Sequence, residues 1–376
     1  MLKGLHLTLL IGPGVPLPVP VEVLEALTEA QVVVNAGENA SGFELKFRLS
    51  KNSPLQTLFL VSGGALIPIV RVILVATING TPEVLIDGVM THHQVMPATD
   101  AGGATLVVKG KDLTALMAYI DFSGLPYPAM PVPARVLLIL AKYAILGVVP
   151  MVIPPLLTDV PVPTDRIPRH QGKDLDYIEQ LAAEAGYVFY LRPGPAPGMS
   201  VAYWGPEIRV GVPQPALNHD MDVHTNVETL TFNLDTEGAK LPVVWVHEPI
   251  TKAPIPIPIP NVSLLNPPLG LIPPIPKEVV PLEGVGKLSP IQAALVGLAR
   301  AAKSGDVVVG TGALDVLRYG RILKARELVG VRGAGLAFDG LYYVRSVTHT
   351  IKRGQYKQQF TLVRNGLIST LPVVPA

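Results

Sequence analysis

Hydrophobic and polar residues alternate most strictly at Phe43 to Leu49, FELKFRL. Phe43, Leu45, Phe47 and Leu49 fall on one face and Glu44, Lys46 and Arg48 on the other, the period-two pattern of a half-buried strand. Further strands are expected at Leu5 to Leu10, Gln31 to Val34, Val70 to Ile78, Val84 to Met90 and Thr105 to Lys109. Asn79-Gly80, between two of them, has the chemistry of a tight hairpin turn. Short strands broken by turn residues predict a small barrel or sandwich over residues 1–110.

The period then changes. Arg135 to Leu146 reads as a helix ending near Gly147, followed by an extended proline segment. Leu175, Ile178, Leu181, Ala182 and Ala185 make one apolar helical face. Asp174 is expected to cap that helix, Asp176 adds negative charge to its first turn, and Gly186 ends it. Tyr187 to Tyr190 then take up strand chemistry, and after the Arg192 to Gly198 turn a second short strand is expected around Val201 to Trp204. Strand character returns from Thr225 to His247, where Thr229, Thr231 and Asn233 alternate with Leu230, Phe232 and Leu234. Pro249 to Pro281 breaks the pattern: prolines 254, 256, 258 and 260 alternate with Ile255, Ile257 and Ile259. Polyproline II or an edge-lying extended chain is the physical option there, and the stretch is too apolar for a solvated linker. A helix over Leu288 to Lys303 and strands through Asp306 to Gly366 close the chain.

Composition narrows the function. The chain has 376 residues, a formal net charge of +1 and no cysteine. Near-neutrality removes the electrostatic footprint of a nucleic-acid binder. Without cysteine there are no disulfides, no thiolate catalysis and no cysteine-held zinc. Only 16% of residues are charged, and the mean hydropathy is +0.41. A membrane span needs ~20 mostly apolar residues. Leu55 to Val70 is interrupted by Gly63, Gly64 and Pro68, and Val136 to Leu157 by Lys142, Gly147 and three prolines. Pro13, Pro16, Pro18 and Pro20 spoil the N-terminus as a signal peptide. Burial against protein partners is the better account of the hydrophobicity.

Candidate chemistry is sparse. His219, Asp220, Asp222 and His224 are metal-ligand types, and strand alternation would set Asp220, Asp222 and His224 on one side; the plainer reading is a polar turn. His92-His93 reads as a solvated strand end. Gly310-Thr311-Gly312 and Gly330 to Gly335 lack the strand–helix context of a dinucleotide site. No nucleophile elbow or metal-binding helix motif occurs, and a spatial carboxylate pair for glycoside hydrolysis is invisible to sequence. Tyr187, Phe189, Tyr190, Tyr203 and Trp204 are read as core in preference to a ligand platform. No cofactor and no metal is expected.

Two stretches carry more than local physics. The wording of Gly172 to Gly194, GKDLDYIEQLAAEAGYVFYLRPG, and of Asp339 to Gly366, DGLYYVRSVTHTIKRGQYKQQFTLVRNG, with a weaker echo in VKGKDLTAL from Val108, resembles the phage late control protein D family. These are hub proteins of contractile-tail baseplates, similar to the hub part of the valine-glycine repeat protein G spikes of type VI secretion. The resemblance implies a β-rich α+β fold: a β-barrel domain at 1–110, a mixed helical and hairpin region at 111–220, and a second barrel at 221–248 and 304–368. It leaves the proline-rich insertion and helix at 249–303 and a tail at 369–376. It also implies a structural homotrimer, assembled in the bacterial cytoplasm and carried in a virion tail or related injection particle. That trimer would join a six-fold inner tail-tube protein to a three-fold spike, among other baseplate subunits. Because only Leu367 to Ala376 follow the last strand, the spike is expected as a separate chain. The proline segment is the expected subunit interface, through Ile255, Ile257, Ile259, Leu264 and Leu265. A particle-borne cell-wall hydrolase and a peripheral membrane protein are the alternatives.

Overall fold

The structure is a computed structural model that describes residues 4–37, 40–49, 69–97, 103–155, 160–164, 167–235, 240–247, 254–259, 266–273, 275–281, 297 and 305–371. The first region holds β1 (Leu5–Pro13), β2 (Leu17–Pro18), α1 (Val21–Ala26), β3 (Leu27–Asn35), β4 (Gly42–Leu49), β5 (Val70–Ile78), β6 (Thr81–Met96) and β7 (Ala104–Asp112). A middle layer follows: α2 (Thr114–Met117), α3 (Val132–Ala141), β8 (Val148–Val152), α4 (Asp174–Ala185), β9 (Val188–Pro193) and β10 (Ser200–Gly205). The rest comprises β11 (Gln214–Asn218), β12 (Val227–Leu234), β13 (Lys240–His247), β14 (Pro254–Pro258), β15 (Gly270–Ile272), β16 (Glu278–Pro281) and β17 (Val308–Asp315). It ends with α5 (Val316–Tyr319), β18 (Leu328–Arg332), β19 (Gly340–Lys352), β20 (Gln355–Arg364) and β21 (Leu367–Ser369).

One 13-stranded sheet joins both β regions in the order β12-β17-β20-β19-β3-β4-β7-β6-β5-β1-β2, with β11 and β18 attached through β19. The join is the antiparallel pairing of β3 with β19, Asn35 against Ser346 through Glu29 against Lys352. Strand β19 serves two neighbours on that edge: Gly340–Tyr343 pairs with β18 and Ser346–Lys352 with β3, divided where a bulge interrupts its register with β20. One apolar core runs under this sheet from Leu9, Leu45 and Phe47 to Val308, Tyr342 and Phe360.

The alternation at Phe43–Leu49 holds, with all four apolar side chains buried. The Asn79-Gly80 turn forms as expected: both residues have positive φ, 50° and 85°, and Ile78 pairs with Thr81. Gly310 and Gly312, which carry no phosphate-loop context, have a packing role. A Cβ on Gly310 would lie 2.7 Å from the Phe232 ring, and one on Gly312 2.6 Å from the Phe360 ring. Glycine on β17 is what lets those two aromatic rings enter the core.

The middle layer has its own core, with Trp204, Ile178, Val136 and Leu140 fully enclosed, and it covers the outer face of β5 and β6. Helix α4 runs as predicted and ends at Gly186, φ 71°. Its cap is a correction. Lys173 occupies the cap position without a side-chain bond, and Asp174 is the first helical residue with its carboxylate turned inward. The extended segment after Gly147 is edge strand β8, which pairs in parallel with β10.

The proline stretch is extended and lies at an edge, as its composition requires. Strand β14 flanks β13, with Ile255 opposite Val246 and Ile257 opposite Val244. Alternate residues of a strand direct their N–H groups to the same edge, so Pro254, Pro256 and Pro258 strip the donors from one side only. The predicted Leu288 to Lys303 helix lies outside the described residues except for Gly297, which is helical.

Candidate functional site: an open sheet face and a clamped joint

The face of the sheet opposite the core differs between its two halves. Across β12, β17, β20 and β19 the register sets Thr231 beside Thr311, Thr311 beside Thr361, Thr361 beside Ser346, and Gln359 beside Thr348. Thr231 and Thr311 are exposed, and their hydroxyls bond to each other at 3.0 Å. On β3, β4 and β7 the same face turns ionic. Lys46 bridges Glu29 at 3.0 Å and Glu44 at 3.4 Å, and Lys109 reaches Glu44 at 2.9 Å. The hydrogen bond from Lys46 holds Glu29 below the usual carboxylate range, and that from Lys109 does the same for Glu44. Lys352 also reaches Glu29, at 3.5 Å, so three lysines share two carboxylates on this part of the face.

Where both sheet halves meet the middle layer, arginines act as clamps. Arg71 on β5 makes a two-pronged pair with Asp87 on β6, both bonds 2.7 Å, and donates to the Gly198 carbonyl of the middle layer at 3.1 Å. Burial pushes the Asp87 carboxyl up against the pull of Arg71. Arg209 is gripped by Asp306, which also accepts from Arg345 on β19 at 2.7 Å. Arg326, in left-handed conformation at φ 69°, lays its guanidinium 4.1 Å from the centre of the Tyr190 ring and donates to the Asn35 carbonyl at the end of β3. One side chain thereby ties the second β region to the first and to the middle layer.

Around Arg326 lies a cleft of about 510 Å³ lined by Glu83, Arg192, Lys324, Glu327 and His349 among others. Its two carboxylates sit among three cations. Glu83 is held by Lys324 at 2.8 Å, and burial raises Glu327 above its ordinary value. Inside the middle layer, Asp174 accepts from Lys142 at 2.7 Å and from Tyr143 at 2.6 Å. His170 lies 2.8 Å from the Tyr127 hydroxyl. Burial is the largest influence on both rings: it pushes Tyr127 up to about 12 and holds His170 below its ordinary value. Asp174, His170 and Tyr127 are buried here, and the network anchors residues 121–131 and 167–173, which have little regular structure, to α3 and α4.

The residues singled out from the sequence fall in different places. Of the expected interface residues, Ile259 is buried at 3% exposure and Ile255 and Ile257 stand on β14; Leu264 and Leu265 lie outside the described residues. Asp220, Asp222 and His224 do not share a strand face: Asp220 and Asp222 have positive φ, and residues Asp222–His224 make a single 3-10 turn. Among the described residues no group of three or more His, Asp or Glu side chains is placed to hold a metal. His92 and His93 are exposed at the far end of β6. The aromatic group divides: Phe189 and Trp204 are core with Tyr187 edge-on to Trp204, whereas Tyr190 stacks on Tyr203 at 5.0 Å on the side facing Arg326. The arginine clamps carry no sequence signal, because their partners lie 16 to 291 residues away. No described helix is long and apolar enough to cross a membrane.

The sequence matches no family model and no curated protein. The fold does match solved structures. A tail protein from Neisseria meningitidis aligns over 97% of this chain and 98% of its own, with a TM-score of 0.64 at 14% identity. The 43 kDa tail protein of prophage MuSo2 from Shewanella oneidensis aligns over 96% and 99%, with a TM-score of 0.61 at 14% identity. An E. coli component of the type VI secretion system, itself structurally similar to T4 bacteriophage tail proteins, aligns over 93% and 77%, with a TM-score of 0.53 at 12% identity. The chain therefore has the β-rich fold shared by phage tail proteins and a type VI secretion component, the architecture that its two sequence patches resemble.

Proposed function

We propose that this chain is a structural baseplate hub protein of a contractile phage tail or a phage-derived injection particle. Three copies would form an adaptor between a six-fold inner tube and a three-fold central spike. The observation that carries the reading is the full-length likeness to tail proteins, covering 97% of this chain and 98% of the Neisseria protein. The sheet supports it. Two β regions, at 1–110 and at 221–248 with 304–368, are fused through β3 and β19, so each copy offers two strand-built units to one ring. In this reading the hydroxyl face of β12, β17, β20 and β19 is turned to the bore, where uncharged hydroxyls let cargo of either sign pass. The proline segment is the peripheral contact with neighbouring baseplate subunits, and the particle assembles in the bacterial cytoplasm.

Native mass measurement of the full chain, or image reconstruction of the particle, tests this directly. A ring of three is expected; a monomer or a ring of six overturns it. The hydrolase alternative has one foothold, the cleft holding Glu83 and Glu327. Peptidoglycan turnover by the purified chain is expected to be absent, and turnover abolished by Glu327→Gln would replace the hub reading with that one.

A further inference from the structure

Strands β9 and β10 alternate as β4 does. Phe189, Leu191, Ala202 and Trp204 belong to the core of the middle layer. The alternate side chains, Tyr190, Arg192, Val201 and Tyr203, therefore stand on the other face of this small sheet, with Arg192 opposite Val201 and Tyr190 opposite Tyr203. Across from that face lie Arg326 and Glu327, just before β18, and two cavities occupy the gap. One is the cleft of about 510 Å³. The other, of about 250 Å³, is lined by Tyr190, Tyr203 and Tyr343 with Met151 and Val188. Arg192, Val201, Arg326 and Glu327 line both, so the cavities meet at a neck.

The charges around that neck do not balance. Glu83 is taken by Lys324 at 2.8 Å, and Glu207 by Arg209 at 3.2 Å. Arg192, Arg326 and Glu327 remain, and among the described residues none of them is in an ion pair. Arg326 donates to the Asn35 carbonyl and lays its flat side on Tyr190, while its Nε is enclosed with no hydrogen-bond partner. Burial holds this guanidinium below its ordinary value, and the charge of Arg192 acts in the same direction. An arginine drawn this far out of water is ordinarily matched by an anion.

We infer that the neck binds a small organic anion: a carboxylate or phosphate received by Arg192 and Arg326, carried on an apolar, ring-sized body lodged among Tyr190, Tyr203 and Tyr343. The arginine fork suits either oxyanion, and an apolar lining with a few charged groups is the common form of a small-molecule pocket. Arg192 comes from the middle layer and Arg326 from the loop before β18, so the anion bridges the joint between them. The inference stands apart from the hub reading and holds for any number of copies.

Calorimetric titration of the full-length protein with benzoate, phenyl phosphate, inorganic phosphate and benzamide tests it. At least one aromatic anion is expected to bind saturably with a dissociation constant in the millimolar range or tighter. Inorganic phosphate should bind more weakly, and benzamide, which has the ring without the charge, not measurably. Arg192→Gln breaks no ion pair within the described chain, so it should leave the thermal midpoint unchanged and weaken the aromatic anion by roughly tenfold or more, the scale of one charge-assisted bond. Val201→Phe should obstruct the neck with the same result. Glu327→Gln removes the unpaired carboxylate near Arg192 and should tighten binding, which a merely structural Glu327 would not do. No saturable binding of either aromatic anion, benzamide binding as well as benzoate, or full affinity in Arg192→Gln overturns the site. Inorganic phosphate binding as tightly as phenyl phosphate removes the tyrosine-lined half and overturns the ligand class. A trimer that binds no anion loses only this site, and a monomer that binds one loses only the hub reading.

Discussion

β5 and β17 are both interior strands of the same sheet, nine and eight residues long, yet β5 is buried on both faces and β17 on one. Their core-facing positions are alike: Val72, Leu74 and Ala76 in one, Val308 and Leu314 in the other, with glycine where aromatic rings intrude. They differ in the alternate positions. On β5 these are Arg71, Ile73 and Val75; on β17 they are Val309, Thr311 and Ala313. The first set is buried, with Arg71 held by an ion pair and bonded to the middle layer, whereas in the second Thr311 is exposed and Val309 and Ala313 are half-buried. The core side of a strand therefore reports that a sheet exists, and the other side reports what stands on it.

Arg71→Ala should break the covered face most severely. It leaves Asp87 enclosed with no compensating cation and releases the bond to Gly198. Losing one partner of a buried pair costs about 3–5 kcal/mol. A urea titration monitored by intrinsic fluorescence should show the loss, and Arg71→Met combined with Asp87→Leu should recover most of it. A single-variant loss below about 1 kcal/mol would mean that the middle layer is not held by this clamp.

The core beneath both halves should respond to acid. His349 on β19 is 4% exposed beside the Tyr356 hydroxyl at 2.7 Å, and burial lowers it to about 3. Its folded value lies below the unfolded value of about 6.5, so the unfolded chain binds the extra proton. The stabilisation is complete above pH 6.5 and is lost as pH falls toward 3. His170 in the middle layer is shifted in the same direction. Between pH 6.5 and pH 5, His349 alone should remove on the order of 2 kcal/mol. His349→Gln should flatten that slope while lowering stability at neutral pH; an equal slope in the variant would assign the acid sensitivity elsewhere.

How much of this is legible in the sequence follows from the range of each interaction. The FELKFRL strand, the Asn79-Gly80 turn and helix α4 are set by neighbours within a few residues, and pattern alone locates them. Asp174 reads as a cap because local rules see a carboxylate at a helix start, not Lys142 and Tyr143 arriving from the end of α3 to claim it. The fusion of the two β regions pairs Asn35 with Ser346, and no periodicity encodes that register. Arg326 is the clearest case: its neighbours in sequence give no hint that it will reach Asn35 and Tyr190.

Arg326 also offers an intermediate test, since it sits where the covered and open halves join. Arg326→Lys keeps the charge but loses the flat stacking on Tyr190 and the fork that reaches Asn35. About 1 kcal/mol of stability should go, the scale of a partly desolvated cation–π contact. Thermal unfolding of the variant should show a lower midpoint, with proteolytic sensitivity rising first in the middle layer. Uniform sensitivity along the chain would remove Arg326 from its role at the joint.

The smallest expected effect sharpens the comparison most. Thr311 stands on the open face with its hydroxyl 3.0 Å from that of Thr231, and both side chains are exposed to solvent. Thr311→Val keeps the branched shape that suits a strand and deletes only a hydroxyl that water can replace. An exposed substitution of this kind should change stability by no more than about 0.5 kcal/mol. Ile73→Thr, the mirror change on β5, puts a hydroxyl where the chain is 1% exposed and should cost several times as much. Denaturant midpoints for the two variants, measured side by side, give the contrast. Equal costs would mean that the hydroxyl face is covered within a single chain, and the distinction between the two halves of the sheet would fall.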